Sequence, residues 1–414
     1  MSDMKKIRVG VLGIGRGLSF AKGAKLVGME LVALCDTWEE KLLEVGKELR
    51  VATYTDYDKF LEHEMDAVIL ANYFHQHVPF AIKALDAGLH VMSETIACGT
   101  IGEGVALARA VEKSGKIYML AENYAYFVYN QEMRRLYQKG EIGEVQYAEG
   151  EYQHSMNARG FNELGPGINH WRNHLPPTYY CSHALSPLMY VTDTRPVSAN
   201  AQSIIQSNQD KEKLHVKVSD LGFVTVCRMD NDSVARLMGL MIRGDSIWYR
   251  FHGTRGLMEN LRTGNRNMVR IIHEEWDRLE GDVAEKIYLP DFPIYDKEAK
   301  STGHSGGDFF MNYHFSEAIR KNEQPYFDVY RGLDMALVGI QGWRSCLANG
   351  APFDIPDFRN EEIRKAYEND FWSPFPDGPN PRQAYPSIKG ELHPSAEAIA
   401  YAKQIWADLG YKQD

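Results

Sequence analysis

Residues 7–15 read IRVGVLGIG, a β-branched apolar run that breaks into glycines. Few folds accommodate it. The run fits a buried parallel strand, and Gly13, Gly15 and Gly17 in GIGRGLSFAKGAKL make a tight turn at the head of a helix. The first two glycines let a pyrophosphate approach the backbone at a helix N-terminus. The third falls one place early for GxGxxG, with Leu18 at its expected position. A second strand, ELVALCD, ends at Asp36, about 20 residues on, where an acid can bind the ribose. Thr37 and Trp38 follow, with no arginine for a 2′-phosphate, so the cofactor expected is NAD.

Strand and helix signals then alternate. TWEEKLLEVGKEL and DYDKFLEH precede the strand DAVILAN; HVPFAIKALDAG precedes HVMSE; GEGVALARAVEKSG precedes IYMLAE. This βαβ series predicts a doubly wound parallel sheet over residues 1–123, with ligands at the carboxyl ends of its strands. Asn72, His75 and His77, then Ser93 and Glu94, then Glu122 and Asn123 stand at those ends. Asn72, His75, His77, Glu94 and Asn123 are therefore candidate cofactor contacts. His75 and His77 are two apart, so on a helix they face apart. No metal is expected.

Composition narrows the function classes. The net charge of −10 argues against a general nucleic-acid binder and gives no attraction to an anionic membrane. No apolar run is long enough to span a bilayer. The five cysteines, Cys35, Cys98, Cys181, Cys227 and Cys346, are scattered and form no CxxC pair, which predicts reduced thiols in a cytoplasmic protein. The start MSDMKKIRVGVLGIG shows no h-region, so no signal peptide is expected.

Past the helix YNQEMRRLYQKGEIG the pattern changes to strands: EVQYAEGEYQ, VSANAQSII, LGFVTVCRM, SVARLMGLMI, SIWYRFHG and NMVRIIHEEW. Such a run predicts one large open antiparallel sheet in an α/β domain over residues 124–360. Its outer face is expected to be apolar enough to pair with another subunit, making a homo-oligomer. The helices GDFFMNYHFSEAIRKN and YRGLDMALVGIQGWRSCLANG are expected to return to the first domain. Residues 361–414 form an extension: a Pro-rich loop, FWSPFPDGPNPRQAYPS, then the amphipathic helix SAEAIAYAKQIWADLG.

Between the strands EVQYAEGEYQ and VSANAQSII lies WRNHLPPTYYCSHALSP, residues 171–187. It crowds His174, Tyr179, Tyr180, Cys181, Ser182 and His183 behind Trp171 and Arg172. Core segments seldom hold so many polar groups, because each needs a partner when buried.

The GxG strand, Asp36 and ANYFHQHVPFAIKALDAGLHVMSE resemble the glucose–fructose oxidoreductase / inositol dehydrogenase / MocA superfamily over nearly the whole chain. The resemblance implies a Rossmann domain followed by an open-sheet domain. FHGTRGLMEN resembles that group's Gly-Thr-x-Gly turn. SETIA stands where most members carry Glu-Lys-Pro, so Thr95 replaces the catalytic lysine. His183 matches the histidine of the usual Asp-x-x-x-His pair, with Tyr179 at the aspartate's place. Other motifs resemble glycoside hydrolase family 109, the NAD-dependent α-N-acetylgalactosaminidases. WRNHLPPTYYCSHALSP is similar to that branch's Trp-Arg and Tyr-Pro-Thr-His-Gly-Leu-Gly-Pro, with Cys181-Ser182, Ala184 and Ser186 as departures. EGEYQHS places Tyr152 and His154; GHSGGDFFM places His304 and Asp308; GAPFDIPDF resembles the shared ending.

The resemblance implies a carbohydrate glycoside as substrate and a nicotinamide route to bond cleavage. Oxidation at C3 of the sugar acidifies the C2 proton; its removal expels the group on C1; water adds; re-reduction restores C3. His183 would assist at the C3 hydroxyl, Tyr152 would be the base at C2 and Tyr180 would orient sugar or water. These roles need pKa values shifted toward neutrality, since an ordinary tyrosine titrates near 10. His154, Trp171, Arg172, His304 and Asp308 would contact the sugar; Asp308 would otherwise cap its helix. Two other readings stand beside this one: an NAD-linked sugar or polyol dehydrogenase using His183 as base, and a catalytically silent NAD-binding sugar sensor.

Overall fold

The computed structural model describes residues 6–206, 214–377 and 381–411. The N-terminal MSDMK and Gly378–Asn380 of the Pro-rich loop lie outside the described residues.

Six parallel strands form the first sheet: β1 (Ile7–Leu12), β2 (Met29–Cys35), β3 (Ala52–Tyr54), β4 (Ala67–Leu70), β5 (His90–Ser93) and β6 (Tyr118–Leu120). Their order is β3-β2-β1-β4-β5-β6. The order reverses between β1 and β4, and the crevice at that switch point is where a doubly wound sheet takes its ligand. All four residues of β4 are buried, as a strand covered on both faces requires. The helix Ile101–Ser114 starts in a reciprocal Thr100–Glu103 capping box and stops at left-handed Gly115.

The second sheet has nine strands: β7 (Val145–Gln153), β8 (Pro196–Ile204), β9 (Gly222–Met229), β10 (Val234–Leu240), β11 (Ser246–Gly253), β12 (Leu257–Asn260), β13 (Val269–Ile272), β14 (Glu285–Tyr288) and β15 (Phe353–Asp354). Their order is β14-β13-β12-β11-β7-β10-β9-β8-β15. The sheet is mixed, not purely antiparallel, because β7 and β10 pair in parallel. β7 comes first in sequence yet sits in the middle, between β10 and β11.

Alternation along β7 decides what the site receives. Ala148, Gly150 and Tyr152 face the helix Ser182–Thr192; Glu149 and Glu151 face away. Gly150 makes the approach possible, since a Cβ there would stand 2.0 Å from the Ala184 carbonyl oxygen. The close contact brings Tyr152 beside His183. Gly150→Ala is expected to destabilise the protein by about 3 kcal/mol, as overpacking against an immovable backbone does; a chemical-denaturation midpoint equal to wild type would contradict this.

The outer face of the second sheet is not the apolar surface the sequence led us to expect. Arg236 pairs with Glu149 and Glu151, Arg262 with Glu151, Arg250 and Arg270 with Glu259, and Arg270 with Glu285. Apolar residues lie around this ladder: Val224, Val226, Val234 and Met238 are half-buried. No helix among the described residues is long and apolar enough to cross a membrane.

The late helices return to the first sheet. Gly307–Lys321 lies against its first helix, with Asn312 Nδ2 donating to the Phe20 carbonyl at 3.1 Å. Val329–Leu347 packs between β8 and β6. The C-terminal helix Ala396–Asp408 packs on Ala158–Leu164 and builds a small second core of Val216, Ala402 and Trp406.

Candidate active site

A cleft of about 820 Å³ runs from the carboxyl ends of the first sheet to the inner face of the second. At its dinucleotide end, Gly13 has φ +94°, and a Cβ there would stand 2.4 Å from the Ala71 carbonyl oxygen. Only glycine fits this turn. Gly15 has no atom within 4 Å of where its Cβ would be, so the loop is bare toward the cleft. Gly17 faces the sheet instead: a Cβ would meet Val11 Cγ1 at 2.7 Å. It provides close helix–strand packing despite its early position and does not line the cleft. Asp36 is held ready at the end of β2. Its Oδ2 accepts from Ile14 N and its Oδ1 from Trp38 N, both at 2.8 Å. Asn72, Glu94, Thr95 and Asn123 also line the cleft, and Asn72 Oδ1 is buried without a partner. The bare loop, the poised acid and this orphaned acceptor fit a dinucleotide.

Two further expected cofactor contacts do not reach the cleft. His77 is the buried first residue of its helix; its Nδ1 bonds the Ile96 carbonyl at 2.9 Å and its Nε2 the Asn72 carbonyl at 3.3 Å. It ties together the loops after β4 and β5. His75 is stacked on Phe375 and lies 3.0 Å from Asp377, so it anchors the Pro-rich loop. Side chains that turn toward a carbonyl or a stacking ring were indistinguishable, in sequence, from ones aimed at a ligand.

Asp308 also departs from its expected role. It is buried and off the cleft wall. Its carboxylate receives Arg16 through two bonds of 2.7 and 2.9 Å, and also Ser19 Oγ and His304 Nδ1. Burial opposes its ionisation, yet the hydrogen bonds from His304 and Arg16 and their charge hold its carboxyl well below the usual carboxylate range. Arg16 bonds Glu94 as well, at 2.7 Å. Asp308 thus bolts the second unit to the glycine loop, while His304 stays half-exposed on the cleft rim.

At the sugar end the crowded stretch comes together. His183 and Glu122 are both buried, and His183 Nδ1 bonds Glu122 at 2.8 and 3.0 Å. The ring of Tyr152 meets His183 edge-on at 4.7 Å and that of Tyr180 at 4.9 Å, while Tyr124 lies 4.4 Å away. Tyr249 Oη donates to the His183 carbonyl at 2.7 Å and fixes the helix from the sheet side. Burial pushes the phenols of Tyr152 and Tyr180 up, with Arg172 pulling both the other way. The shift toward neutrality that a tyrosine base needs is therefore not built into the free protein.

His154 is an exposed cleft residue at the end of β7. Trp171 lines the cleft but is buried, stacked on Phe74 at 4.8 Å with Arg172 at 4.3 Å from its ring centre. It offers less open ring than a sugar platform would. His174 is occupied: Arg382 bonds its Nδ1 at 3.0 Å, its Nε2 bonds the Ile168 carbonyl, and burial pulls it down to about 4. Among the described residues no cluster of three or more His, Cys, Asp or Glu side chains could hold a metal ion. Sequence reasoning left Glu122 without a role, although its place at a strand end was visible. It passed over Tyr124 and Arg16 altogether; the signal for Arg16 was a permanent charge inside a phosphate-type loop.

Fold and cleft together define an NAD-binding enzyme of the oxidoreductase type, built on two sheets. Residues 7–122 match the oxidoreductase family, NAD-binding Rossmann fold, and residues 190–365 match the glycosyl hydrolase 109 C-terminal domain. The two matched segments tie the chain to the glucose–fructose oxidoreductase / inositol dehydrogenase / MocA superfamily and, through its C-terminal part, to the glycoside hydrolase family 109 branch. It is 25% identical over 382 residues to an alpha-N-acetylgalactosaminidase of Tannerella forsythia, covering 80% of this chain and 81% of that one. It is 24% identical to glycosyl hydrolase family 109 protein 1 of Shewanella sp. (strain ANA-3), covering 86% and 85%. Among solved structures, levoglucosan dehydrogenase in complex with NADH and levoglucosan shares the fold, with TM-score 0.72 and 17% identity, over 85% of this chain and 100% of that one.

Proposed function

We propose that this chain is an NAD-dependent glycoside hydrolase that works by transient oxidation at C3, proton removal at C2, elimination at C1, water addition and re-reduction. The observation that carries this reading is the buried Glu122–His183 pair, set with Tyr152 and Tyr180 in a cleft continuous with the dinucleotide loop. Among the described cleft-lining residues the carboxylates are Asp36 and Glu94, one bonded to turn amides and the other to Arg16. A displacement by two flanking carboxylates lacks its pair.

Gly13, Gly15 and Asp36 would hold the pyrophosphate and ribose, with Asn72, Glu94 and Asn123 further along. When bound, NAD supplies a reversible hydride acceptor for C3 of the sugar. The protein's own side chains handle protons. Glu122 accepts from His183 Nδ1 and fixes the tautomer, which leaves Nε2 to take the C3 hydroxyl proton. Thr95, at the place of the missing lysine, cannot do this near neutral pH. Tyr152 is the candidate at C2. Its phenol becomes a base only if cationic charge offsets its burial, and Arg172 is the side chain that pulls in that direction. Tyr180 orients sugar or water. His154, Arg172 and His304 contact the sugar from the wall and rim.

The Tannerella relative makes an α-N-acetylgalactosaminide the first substrate to try. We also propose a cytoplasmic homo-oligomer that pairs through the second sheet; all five cysteines are free and buried.

Aryl-glycoside cleavage without added cofactor and without net NADH is the expected result. Stoichiometric NADH from a free sugar would instead mark a dehydrogenase, and neither product, with NAD bound, a sensor. Tyr152→Phe is expected to abolish C2–H exchange with D₂O while NAD still binds. Exchange at the wild-type rate would remove the assignment.

A further inference from the structure

Lys217 is 5% exposed, and none of the described carboxylates forms an ion pair with it. Burying an unpaired ammonium is strongly unfavourable. What it holds is a backbone atom: Nζ donates to the Arg172 carbonyl at 3.1 Å. Its neighbour Val218 N donates to the Asn173 carbonyl at 2.9 Å. The turn Trp171–Asn173 is thus pinned from behind at two successive carbonyls, and Trp171 and Arg172 line the cleft on the other side. Val216, on the same segment, sits in the small second core with Trp406, whose Nε1 donates to Asn162 O at 2.8 Å. This support is built apart from the main core, from the irregular segment leading into β9 and the C-terminal helix.

We propose that Lys217 is a positioning residue: its ammonium grips the Arg172 carbonyl and so sets the Trp171–Arg172 wall against the sugar. The proposal rests on the sugar-cleft reading above. Burial first, and then Arg172, pull Lys217 down to about 7, with Asp220 on its own segment opposing. The other charged or titratable groups facing it are His174 and, behind that, Arg382. The grip therefore weakens as pH rises through neutrality. Stability moves the other way. The unfolded lysine keeps its proton to about 10.5, so wild-type stability rises with pH between about 7 and 10.5 as the buried charge is relieved.

The test compares wild type with Lys217→Met, both loaded with NAD. The variant is expected to raise KM for an aryl glycoside about tenfold with kcat within about twofold, and amide exchange of residues 168–175 should quicken. Wild-type KM should climb between pH 6 and 8 while the variant stays flat. Its melting midpoint at pH 6 should be no lower than wild type, because a buried charge is gone. Unchanged KM with unchanged exchange overturns the proposal, as does a fall in kcat that merely follows a lower midpoint. If neither protein binds nor cleaves a glycoside, the sugar-cleft reading fails, and exchange alone decides: unchanged protection of 168–175 overturns the role of Lys217.

Discussion

His183→Gln is expected to lower kcat about 1,000-fold while NAD affinity stays within about twofold, the loss typical of removing a positioned acid–base group. His183 touches neither the glycine turn nor Asp36, so the cofactor site should not notice the change. Glu122→Gln is a companion with a smaller effect. An amide can still meet Nδ1, but it no longer stabilises an imidazolium and can select the wrong tautomer. A loss of about 100-fold is expected. Steady-state kinetics and NAD fluorescence titration check both. Equal damage to NAD affinity and kcat would mean that the pair holds the fold together and does no chemistry.

Asp308→Asn carries the second large effect. The asparagine keeps the shape but leaves Arg16 facing Glu94 alone, with a mostly buried charge less well compensated. Breaking such a pair costs about 3 kcal/mol, and NAD affinity should fall because Arg16 is part of the glycine loop. The carboxyl of Asp308 is held below its ordinary value. The pair's contribution is therefore complete above about pH 4 and fades as pH falls through the ordinary carboxylate value and on toward the lower folded one. The gap in melting midpoint between wild type and variant should be wide at pH 7 and narrower at pH 3. A gap independent of pH would show that ionisation of Asp308 is not what holds the loop.

Local pattern made much of this legible. The glycine turn, Asp36 and the βαβ alternation came from period and punctuation, and the six main strand runs of the second sheet were visible as apolar, β-branched stretches. β3, β12, β14 and β15, two to four residues each, were not, because no apolar, β-branched run of the kind that marked β4 surrounds them. The parallel β7–β10 pair was also hidden, since sheet order is a long-range choice. At the site, Tyr152 and His183 could be named from motifs, but their proximity depends on Gly150, which sequence presents only as one more small residue. Glu122 and His183 are 61 residues apart, and Arg16 and Asp308 are 292 apart. Nothing local marks such partners. The same blindness misread His75 and His77: their types were right for a ligand, but carbonyls and an aromatic ring claimed them first.

The second sheet's ladder has a consequence for assembly. Its four arginines and four glutamates already neutralise one another within a single chain. A copy docking there need not bring opposite charge. Recognition across that surface would fall to the valines and Met238 around the ladder, so self-association should tolerate molar salt or even tighten in it.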